Sequence, residues 1–274
     1  MASKPPKGKE NYLHDYEGVL TARIIGRRSA QVHGAFVLPY LRDGMALLDC
    51  GCGPGSITIG LAQAIPQGHV TGIDLAPSQV KAARATASVQ GVGNVTFESC
   101  DVYQLPFPDR TFDGVFSHAL MEHMSDPLAV LKEMRRVLKP GGIAAIRSID
   151  LGGTVIAPED AAVIRAHDLW VQFRRYCGGD PLIGRRLRGW LRQGGFSKTI
   201  GTMASETWGT AERCQAIASI MLDEFTGPRI TKAALQEGWA DQARMDEAAQ
   251  ALKDWGEHPD ALMSYLWGEA VGWK

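Results

Sequence analysis

The chain has 274 residues, 45% of them hydrophobic, and a formal net charge of −1 at pH 7. This length and composition allow a substantial core, as one large domain or as a domain with a lid. No apolar run approaches the roughly 18 residues needed to span a bilayer, and the basic start lacks a signal-peptide core. The charge balance and the lack of a basic, aromatic binding module disfavour nucleic acid as a partner. We therefore expect a cytoplasmic protein with no membrane span.

Five cysteines are scattered through the chain, and an odd number argues against a disulfide framework. Cys50 and Cys52 form a Cys-x-Cys pair that could suggest metal or redox chemistry. Zinc sites normally combine a Cys-x₂₋₄-Cys pair with a second ligand pair, and the sequence offers no such partner pair. We therefore expect no metal site, with Cys50 packed behind a strand and Cys52 tolerated as a small turn residue.

A glycine-rich turn follows the first strongly apolar run, Leu47 to Asp49. Gly51, Gly53 and Gly55 carry no Cβ, so the backbone can turn tightly and approach a ligand closely. A helical pattern begins directly afterwards, which would place the turn amides at a helix start, facing that ligand. The pattern is typical of the entrance to a nucleotide-type cofactor site.

Three strand-like segments each deliver an acid at or just past the carboxyl end, and these acids are Asp49, Asp74 and Asp101. The segments are 45–49, 70–74 and 95–101. The stretches between them, 56–65 and 77–89, have helical spacing, so the predicted order is β-α-β-α-β. Right-handed crossovers bring the turn and the acids to one rim of a doubly wound sheet, where ligands bind. An acid after the second strand suits ribose hydroxyls and one after the third suits an adenine amino group, so the rim predicts an adenosine pocket.

The remaining sequence predicts two more strands of the core and a mostly helical second half. Asp126 and Pro127 are typical of a helix start, and Lys139 to Gly142 ends that helix. The predicted strands are Phe112–Phe116, Ile143–Asp150, Ser197–Ala204 and one within Leu262–Trp273. The predicted helices are Pro158–Tyr176, Pro181–Gln193, Thr210–Phe225 and about Thr231–Trp255.

These motifs, in this order, resemble the class I S-adenosylmethionine-dependent methyltransferases, and are similar to the quinone-biosynthesis type. The matching segments are Leu48–Gly55, Gly72–Leu75, Cys100–Val102, Leu105–Asp113, Met121–His123 and Val137–Gly142. The resemblance implies an α/β fold: a Rossmann-like, seven-stranded doubly wound sheet with an antiparallel last strand. In the family the last two strands form a hairpin. Here about sixty residues separate them, so we expect an inserted helical lid.

The expected organisation is a single domain over residues 1–274. Its core would comprise about 38–154 plus strands near 197–204 and 262–273, and its lid about 11–37, 155–196 and 207–261.

The resemblance implies S-adenosylmethionine as cofactor and S-adenosylhomocysteine as product. It implies that Asp49 and the three glycines lie by the methionine portion, that Asp74 binds ribose, and that Asp101 with Val102 borders the adenine. Further residues of the implied cofactor site are Tyr16, Arg28, Cys52, Leu75, Gln79, Ser117 and His118. Arg28 could pair with the methionine carboxylate, or could have a surface or helix-capping role.

Methyl transfer from a sulfonium chiefly requires aligned partners and the exclusion of water, and only some acceptors need a general base. His118 is the first candidate for a base or an acceptor-orienting group, and His123 the second. A hydrogen-bonded histidine at a loop-helix junction is the alternative for both. Arg147 is a third candidate. Together with Asp150, it could meet the acceptor or belong to an internal ion pair.

Two clusters bear on the acceptor, which we expect to be a small molecule, either apolar or anionic. One is basic and could bind an anionic group or form a solvated helix face. The other is aromatic and could wall an apolar pocket or form the core of the lid. The basic residues are Arg174, Arg175, Arg185, Arg186, Arg188 and Arg192; the aromatic ones are Trp170, Phe173, Tyr176, Trp190 and Trp208. The sequence leaves oxygen, nitrogen and carbon nucleophiles open, and is compatible with a homodimer.

Two alternative functions share part of this pattern. A glycine turn followed by an acid also marks the dinucleotide sites of NAD(P)-dependent oxidoreductases. Against that alternative, the spacing is Gly-x-Gly-x-Gly, and Asp101 has a natural role only with adenosine. A non-catalytic protein that binds S-adenosylmethionine would carry the same motifs as an enzyme.

Overall fold

The structure, a computed structural model, describes residues 25–274. Its centre is a seven-stranded sheet in the order β3-β2-β1-β4-β5-β7-β6. The strands are β1 Ala46–Cys50, β2 His69–Asp74, β3 Val95–Ser99, β4 Phe112–His118, β5 Leu138–Ala157, β6 Lys198–Trp208 and β7 Leu262–Trp273. β1 to β5 are parallel, and β7 is antiparallel to both of its neighbours. The predicted fold class is confirmed.

Nine α-helices are found in residues 25–274. They are α1 Ala30–His33, α2 Ser56–Ala64, α3 Pro77–Val89, α4 Pro127–Val137, α5 Ala161–Tyr176, α6 Leu187–Gln193, α7 Ala211–Thr226, α8 Pro228–Gln236 and α9 Gln242–Glu257. Short 3-10 helices cover Ile25–Arg27, Leu38–Tyr40, Met121–His123 and Gly184–Arg186. Side-chain caps start four of the longer helices: Asp126 accepts from the amide of Ala129, and Asp160, Thr210 and Asp241 cap α5, α7 and α9 in the same way.

Several predicted boundaries need correction. The helix predicted over 181–193 begins at Leu187, after the 3-10 helix Gly184–Arg186, and the strand predicted over 197–204 runs on to Trp208. β5 extends beyond the predicted 143–150 at both ends, because its far end pairs with the start of β7, where Val155 lies opposite Ser264. The predicted lid segment that starts at 155 therefore begins inside a strand. The helix predicted over about 231–255 is two helices, since Gly238 adopts a φ of 68° between them.

The two faces of the sheet and the inserted helices carry separate hydrophobic clusters. α4 and α6 pack against one face through Leu131, Met134 and Leu187, and α2 packs against the other through Leu61 and Ala62. A third cluster joins α5, α7 and α9 to the ends of β5 and β7. Helices α7 to α9, between β6 and β7, are thereby held over the carboxyl ends of the central strands. Across residues 25–274, no helix combines the length and the apolar character needed to cross a membrane.

Candidate active site

A cavity of about 150 Å³ lies between the carboxyl ends of the central strands and the helices α5 and α7. An apolar protein cavity of this size can hold a molecule such as benzene. On the strand side it is lined by Arg28, Gly51, Gly53, Asp74, His118, Ala119, Leu120, Glu122, His123 and Ile149. On the other side it is lined by Trp170, Arg174, Glu206, Trp208, Ile217, Ile220, Met221, Glu224, Phe225, Tyr265 and Trp267. We call the glycine turn with Asp49 and Asp74 the rim, and we call the second set together with Glu122 the lid wall.

The glycine turn has the conformation that its sequence predicts. Gly51, Gly53 and Gly55 have φ values of 76°, 52° and 83°, in the left-handed region that favours glycine. A Cβ at Gly55 would lie 2.8 Å from the Cβ of Ala83 and 3.0 Å from Cζ of Phe97. The turn is therefore packed tightly against α3 and β3, while Gly51 and Gly53 present backbone to the cavity.

The amides of this turn do not face a ligand, contrary to the prediction. The amides of Gly51 and Cys52 donate to the carbonyl oxygen of Ile73 at 2.8 and 2.9 Å. The amide of Gly53 donates to Oδ2 of Asp74 at 2.9 Å, and that of Gly55 to the carbonyl of Cys52 at 3.0 Å. The end of β2 thus takes up the turn amides, which fixes the shape of the rim from within.

Asp74 is buried and holds the turn in place with both carboxylate oxygens. Oδ2 accepts from Gly53, and Oδ1 accepts from the amide of Ala76 at 2.9 Å. Burial raises the pKa of Asp74 above its usual range, while these backbone hydrogen bonds lower it in part. Since a carboxylate has about four lone-pair sites, Asp74 can still accept hydrogen bonds from the cavity that it lines.

Asp49 lies deeper, behind the turn and away from the cavity wall. It is 2% exposed, and its Oδ2 accepts from the hydroxyl of Thr58 at 2.7 Å. Burial raises the pKa of Asp49 to about 7, the Thr58 hydrogen bond lowers it in part, and the neighbouring charge of Asp74 raises it further. This carboxyl group can therefore be neutral in the folded protein near neutral pH.

The other predicted cofactor residues are placed around the rim rather than on the cavity wall. Cys52, Gln79, Val102 and Ser117 are buried, Asp101 is partly exposed, and Leu75 is 46% exposed. Asp101 accepts from the amide of Tyr103 at 2.9 Å, beyond the end of β3. Ser117 Oγ has no hydrogen-bond partner among residues 25–274. Tyr16 lies outside the described residues.

Arg28 reaches the cavity from the segment before α1. Its guanidinium carbon lies 5.5 Å from the centre of the Trp267 ring, and Nε finds no partner within the described part of the chain. Burial lowers the pKa of Arg28 to about 10, against the attraction of Glu206 and Glu122. The group remains cationic at neutral pH and can receive an anion.

His118 is the last residue of β4, not a residue after the strand as predicted, and it is buried beside the cavity. Its Nδ1 lies 3.4 Å from Nη1 of Arg147, which can only donate. Nδ1 is therefore the acceptor, and the proton of the neutral ring is assigned to Nε2. Burial, together with Arg28 and Arg147, lowers the pKa of His118 well below its usual value. His118 thus presents an N–H donor to the cavity, and its Nε2 has no partner in the described residues.

Arg147 belongs to an internal ion pair rather than to the cavity wall. Its Nε donates to Oε1 of Glu269 at 3.1 Å, and its guanidinium carbon lies 4.4 Å from the centre of the Trp267 ring. His123, in contrast, lines the cavity at the end of a short 3-10 helix. The structure therefore brings His118 and His123 together at the cavity and uses Arg147 to orient His118.

The basic and aromatic clusters separate in the fold. Asp150 pairs with Arg185 at 2.6 Å and Asp180 pairs with Arg186, while Arg175, Arg188 and Arg192 are exposed. Of the six arginines only Arg174 lines the cavity, and of the five aromatic residues only Trp170 and Trp208 do. Most members of both clusters therefore lie away from the cavity, which favours a structural role for them over a role in binding the acceptor.

Sequence reasoning missed the acids and the apolar face of the lid wall. Glu122, whose sequence position is typical of an acid in a first helical turn, is 3% exposed and lines the cavity. Helix α7 contributes Ile217, Met221 and Phe225, whose spacing is that of any buried helix face. The one available signal was the Met-Glu-His segment, where Glu122 directly precedes His123, a residue of the site.

Known proteins share this architecture and its sequence motifs. A methyltransferase-domain family matches residues 41–173. The probable methyltransferase ltbC of Aspergillus luteorubrus is 33% identical over 96% of this chain and 97% of its own length. A demethylmenaquinone methyltransferase of Geobacillus kaustophilus is 38% identical over 38% of this chain and 44% of its own.

A solved structure of similar fold is phosphoethanolamine N-methyltransferase 2 of Haemonchus contortus, in complex with phosphomonomethylethanolamine and S-adenosylhomocysteine. Its TM-score is 0.56 at 19% identity, and the match covers 89% of this chain and 52% of that one. The sequence relatives, rather than this likeness of fold, establish the family, because one of them matches along almost its whole length. The chain therefore belongs to the methyltransferases.

Proposed function

We propose that the rim holds S-adenosylmethionine and that the lid wall encloses an apolar small molecule as the methyl acceptor. The observation that supports this most is that Gly51, Gly53 and Asp74 share one cavity with the apolar face of α7. A cavity that joins the two groups of residues lets cofactor and acceptor meet away from bulk water. When bound, the cofactor supplies a methyl group on a positively charged sulfur, which leaves as a neutral thioether.

The rim and Arg28 beside it contain groups that fit such a cofactor. Gly51 and Gly53 leave backbone uncovered by side chains, and Arg28 offers an unpartnered guanidinium Nε for the methionine carboxylate. Asp74 has lone pairs left for ribose hydroxyls. We assign the adenine to the neighbouring strand end at Asp101 and Val102, with Leu75 and Gln79 alongside.

The lid wall suits an apolar acceptor. Trp170, Trp208 and Tyr265 form a group of rings, with centroids 6.1 Å apart for Trp170 and Tyr265 and 5.2 Å apart for Trp208 and Tyr265. With Ile217 and Met221 they provide a water-excluding surface for a flat or hydrocarbon ligand. A demethylmenaquinone methyltransferase among the relatives is consistent with an acceptor of this kind. A homodimer stays a prediction.

Calorimetric titration of the protein with S-adenosylhomocysteine and with NADH tests the assignment of the rim. We expect binding of S-adenosylhomocysteine and none of NADH. Asp74→Ala should weaken binding of S-adenosylhomocysteine about tenfold or more, because it removes ribose hydrogen bonds and releases the amides of Gly53 and Ala76. Asp254→Ala, an exposed acid on α9, serves as the matched control and should bind normally.

Two results would contradict this proposal. One is unchanged affinity in folded Asp74→Ala protein, and the other is selective binding of the dinucleotide. Formation of S-adenosylhomocysteine from the cofactor and a panel of apolar acceptors then tests the acceptor side directly.

A further inference from the structure

We propose that Glu122 and Arg174 together bind a hydroxyl group of the acceptor, and that this hydroxyl oxygen receives the methyl group. The acceptor class is then an apolar molecule with a phenolic or enolic hydroxyl. This inference rests on the proposed function, since it concerns the same cavity, and it selects one of the three nucleophile classes that the sequence left open.

Arg174 is a buried cation that lacks an oxygen partner. It lies near the end of α5, is 5% exposed and lines the cavity. Its guanidinium carbon lies 4.5 Å from the centre of the Trp170 ring, while Nε and Nη1 have no hydrogen-bond partner among residues 25–274. A guanidinium carries five N–H donors in a fixed plane, and a buried donor without an acceptor lowers the stability of the protein. Arg174 therefore presents donors that an oxygen atom of a ligand would satisfy.

Glu122 is a buried acid that lines the same cavity and also has a polar atom that is unpartnered within residues 25–274. It is 3% exposed, lines the cavity from the short helix Met121–His123, and its Oε2 has no partner in the described part of the chain. Burial raises the pKa of Glu122 above its usual range, and the charge of Arg174, a hydrogen bond from Ser148 and the charge of Arg28 offset part of that rise. A carboxylate whose proton affinity is raised in this way is better suited to accept a proton near neutral pH.

The two charges face one cavity without closing on each other. Glu122 and Arg174 attract each other electrostatically, yet within residues 25–274 they form neither an ion pair nor a hydrogen bond. A hydroxyl group suits such a pair, because it can donate to the carboxylate and accept from the guanidinium at the same time.

Other acceptor groups would satisfy one charge at the expense of the other. A carboxylate would be repelled by Glu122, and an ammonium group by Arg174. A neutral amine could donate to Glu122, but its nitrogen lone pair would then be engaged by Arg174 instead of attacking the methyl carbon. A hydroxyl oxygen has a further lone pair for the attack, so the pair of residues favours oxygen as the nucleophile.

The proposed methyl transfer requires only these two residues, the acceptor and the cofactor that the family resemblance implies. The O–H proton moves to Glu122 as the oxygen forms its bond to the methyl carbon. The bond between that carbon and the sulfur breaks, and its electron pair stays on the sulfur. Arg174 stabilises the negative charge that develops on the oxygen, and Glu122 later releases its proton to water. His118 does not compete as the base, because its Nε2 already carries a proton.

Binding of a matched pair of probes tests the recognition of the hydroxyl. The protein saturated with S-adenosylhomocysteine is titrated with 4-nitrophenol and with 4-nitroanisole, its O-methylated counterpart. We expect the phenol to bind about tenfold tighter, since the ether has no O–H group to donate to the Glu122 carboxylate. Arg174→Met should abolish the preference and Arg174→Lys should retain part of it. Arg175→Met, an exposed neighbour on the same helix, is the control and should keep all of it.

Turnover tests the role of Glu122 as the base. Production of S-adenosylhomocysteine is measured over a panel of apolar phenols, enols and amines, across pH. We expect hydroxyl acceptors to react, and Glu122→Gln to lower kcat about a hundredfold or more, with a small change in KM and loss of the acidic limb of the pH profile. Glu237→Gln, on the exposed end of α8, should behave as wild type.

The outcomes separate this inference from the proposed function. If S-adenosylhomocysteine does not bind, the assignment of the cavity as the active site fails. If it binds but the phenol has no advantage over its methyl ether, or neither probe binds, the hydroxyl assignment is overturned. Methylation of amines alone, or full activity of Glu122→Gln, would overturn it as well. Circular dichroism and binding of S-adenosylhomocysteine show that each variant is folded.

Discussion

The rim and the lid wall of the cavity differ in whether their buried polar groups have hydrogen-bond partners within the protein. At the rim, the protein itself supplies the partners: Asp74 accepts from Gly53, and Asp49 accepts from Thr58. On the opposite side, Arg174 is buried, and its Nε and Nη1 have no hydrogen-bond partner in the described residues. The first region is complete without a ligand, and the second is not.

The difference indicates which polar groups stabilise the fold and which are free to bind a ligand. Buried polar groups in native proteins are nearly always paired, because an unpaired one costs about 1–3 kcal/mol. The paired rim should therefore respond to substitution mainly through the stability of the fold. The unpaired groups around the acceptor space should respond mainly through ligand binding and turnover.

The largest effect should come from the pH dependence of stability that Asp49 imposes. Its pKa, about 7 in the folded protein, lies above the unfolded value, so the folded state binds the extra proton between them. The stabilisation is complete below the unfolded pKa, near 4, and is lost as pH rises through about 7. Relative to Asp49→Asn, the wild-type free energy of unfolding should fall by about 1.4 kcal/mol per pH unit in that window, about 4 kcal/mol in all.

Urea unfolding of both proteins at several pH values measures this difference, since other titrating groups are common to both. Parallel stability profiles would mean that Asp49 is charged in the folded protein. The rim would then contain an uncompensated buried anion and would resemble the lid wall.

A somewhat smaller effect should come from the packing of the glycine turn. Gly55→Ala places a methyl group 2.8 Å from the Cβ of Ala83, in a left-handed conformation. Gly44→Ala imposes a similar conformation, with a φ of 82°, but its methyl group would meet nothing within 4 Å. Because only Gly55→Ala is overpacked, its free energy of unfolding, measured with denaturant, should be about 1–3 kcal/mol lower than that of Gly44→Ala. Equal stabilities would show that the turn has room to adjust.

The same contrast explains how far the sequence could predict the molecule. The rim was predictable because its parts are local: an apolar run, a glycine turn and an acid at the next strand end lie within 26 residues, from Asp49 to Asp74. The fold followed from repetition of that unit. The predicted orientation of the turn amides was wrong because their acceptor, Ile73, lies on another strand and carries no sequence signal.

The lid wall was not predictable, since its residues meet only through tertiary structure. Glu122, Arg174, Phe225 and Tyr265 come from four separate segments, and the antiparallel pairing of β5 with β7 brings the last of them to the cavity. An apolar stripe on a helix such as α7 looks the same whether it packs on a core or walls a ligand site. Burial without a partner, the property that distinguishes Arg174, is not encoded in any local pattern.

The smallest effect concerns His118, on the boundary between the two regions. β4 pairs with β5 so that His118 lies opposite Arg147, and the Arg147 donor fixes the neutral ring as the Nε2–H tautomer. Nitrogen-15 NMR should show this tautomer, still uncharged at pH values where a free histidine is protonated, since burial and two neighbouring cations depress its pKa. Arg147→Met should release the constraint on the tautomer.

Loss of one donor to the acceptor should cost about 1 kcal/mol, so His118→Ala should lower kcat/KM about fivefold and leave affinity for S-adenosylhomocysteine nearly unchanged. His69→Ala, an exposed histidine at the start of β2, is the matched control. An Nδ1–H tautomer, with a fall in activity of several hundredfold, would instead make His118 a proton acceptor. That result would assign the base to His118, and the unpaired Glu122 oxygen would need another explanation.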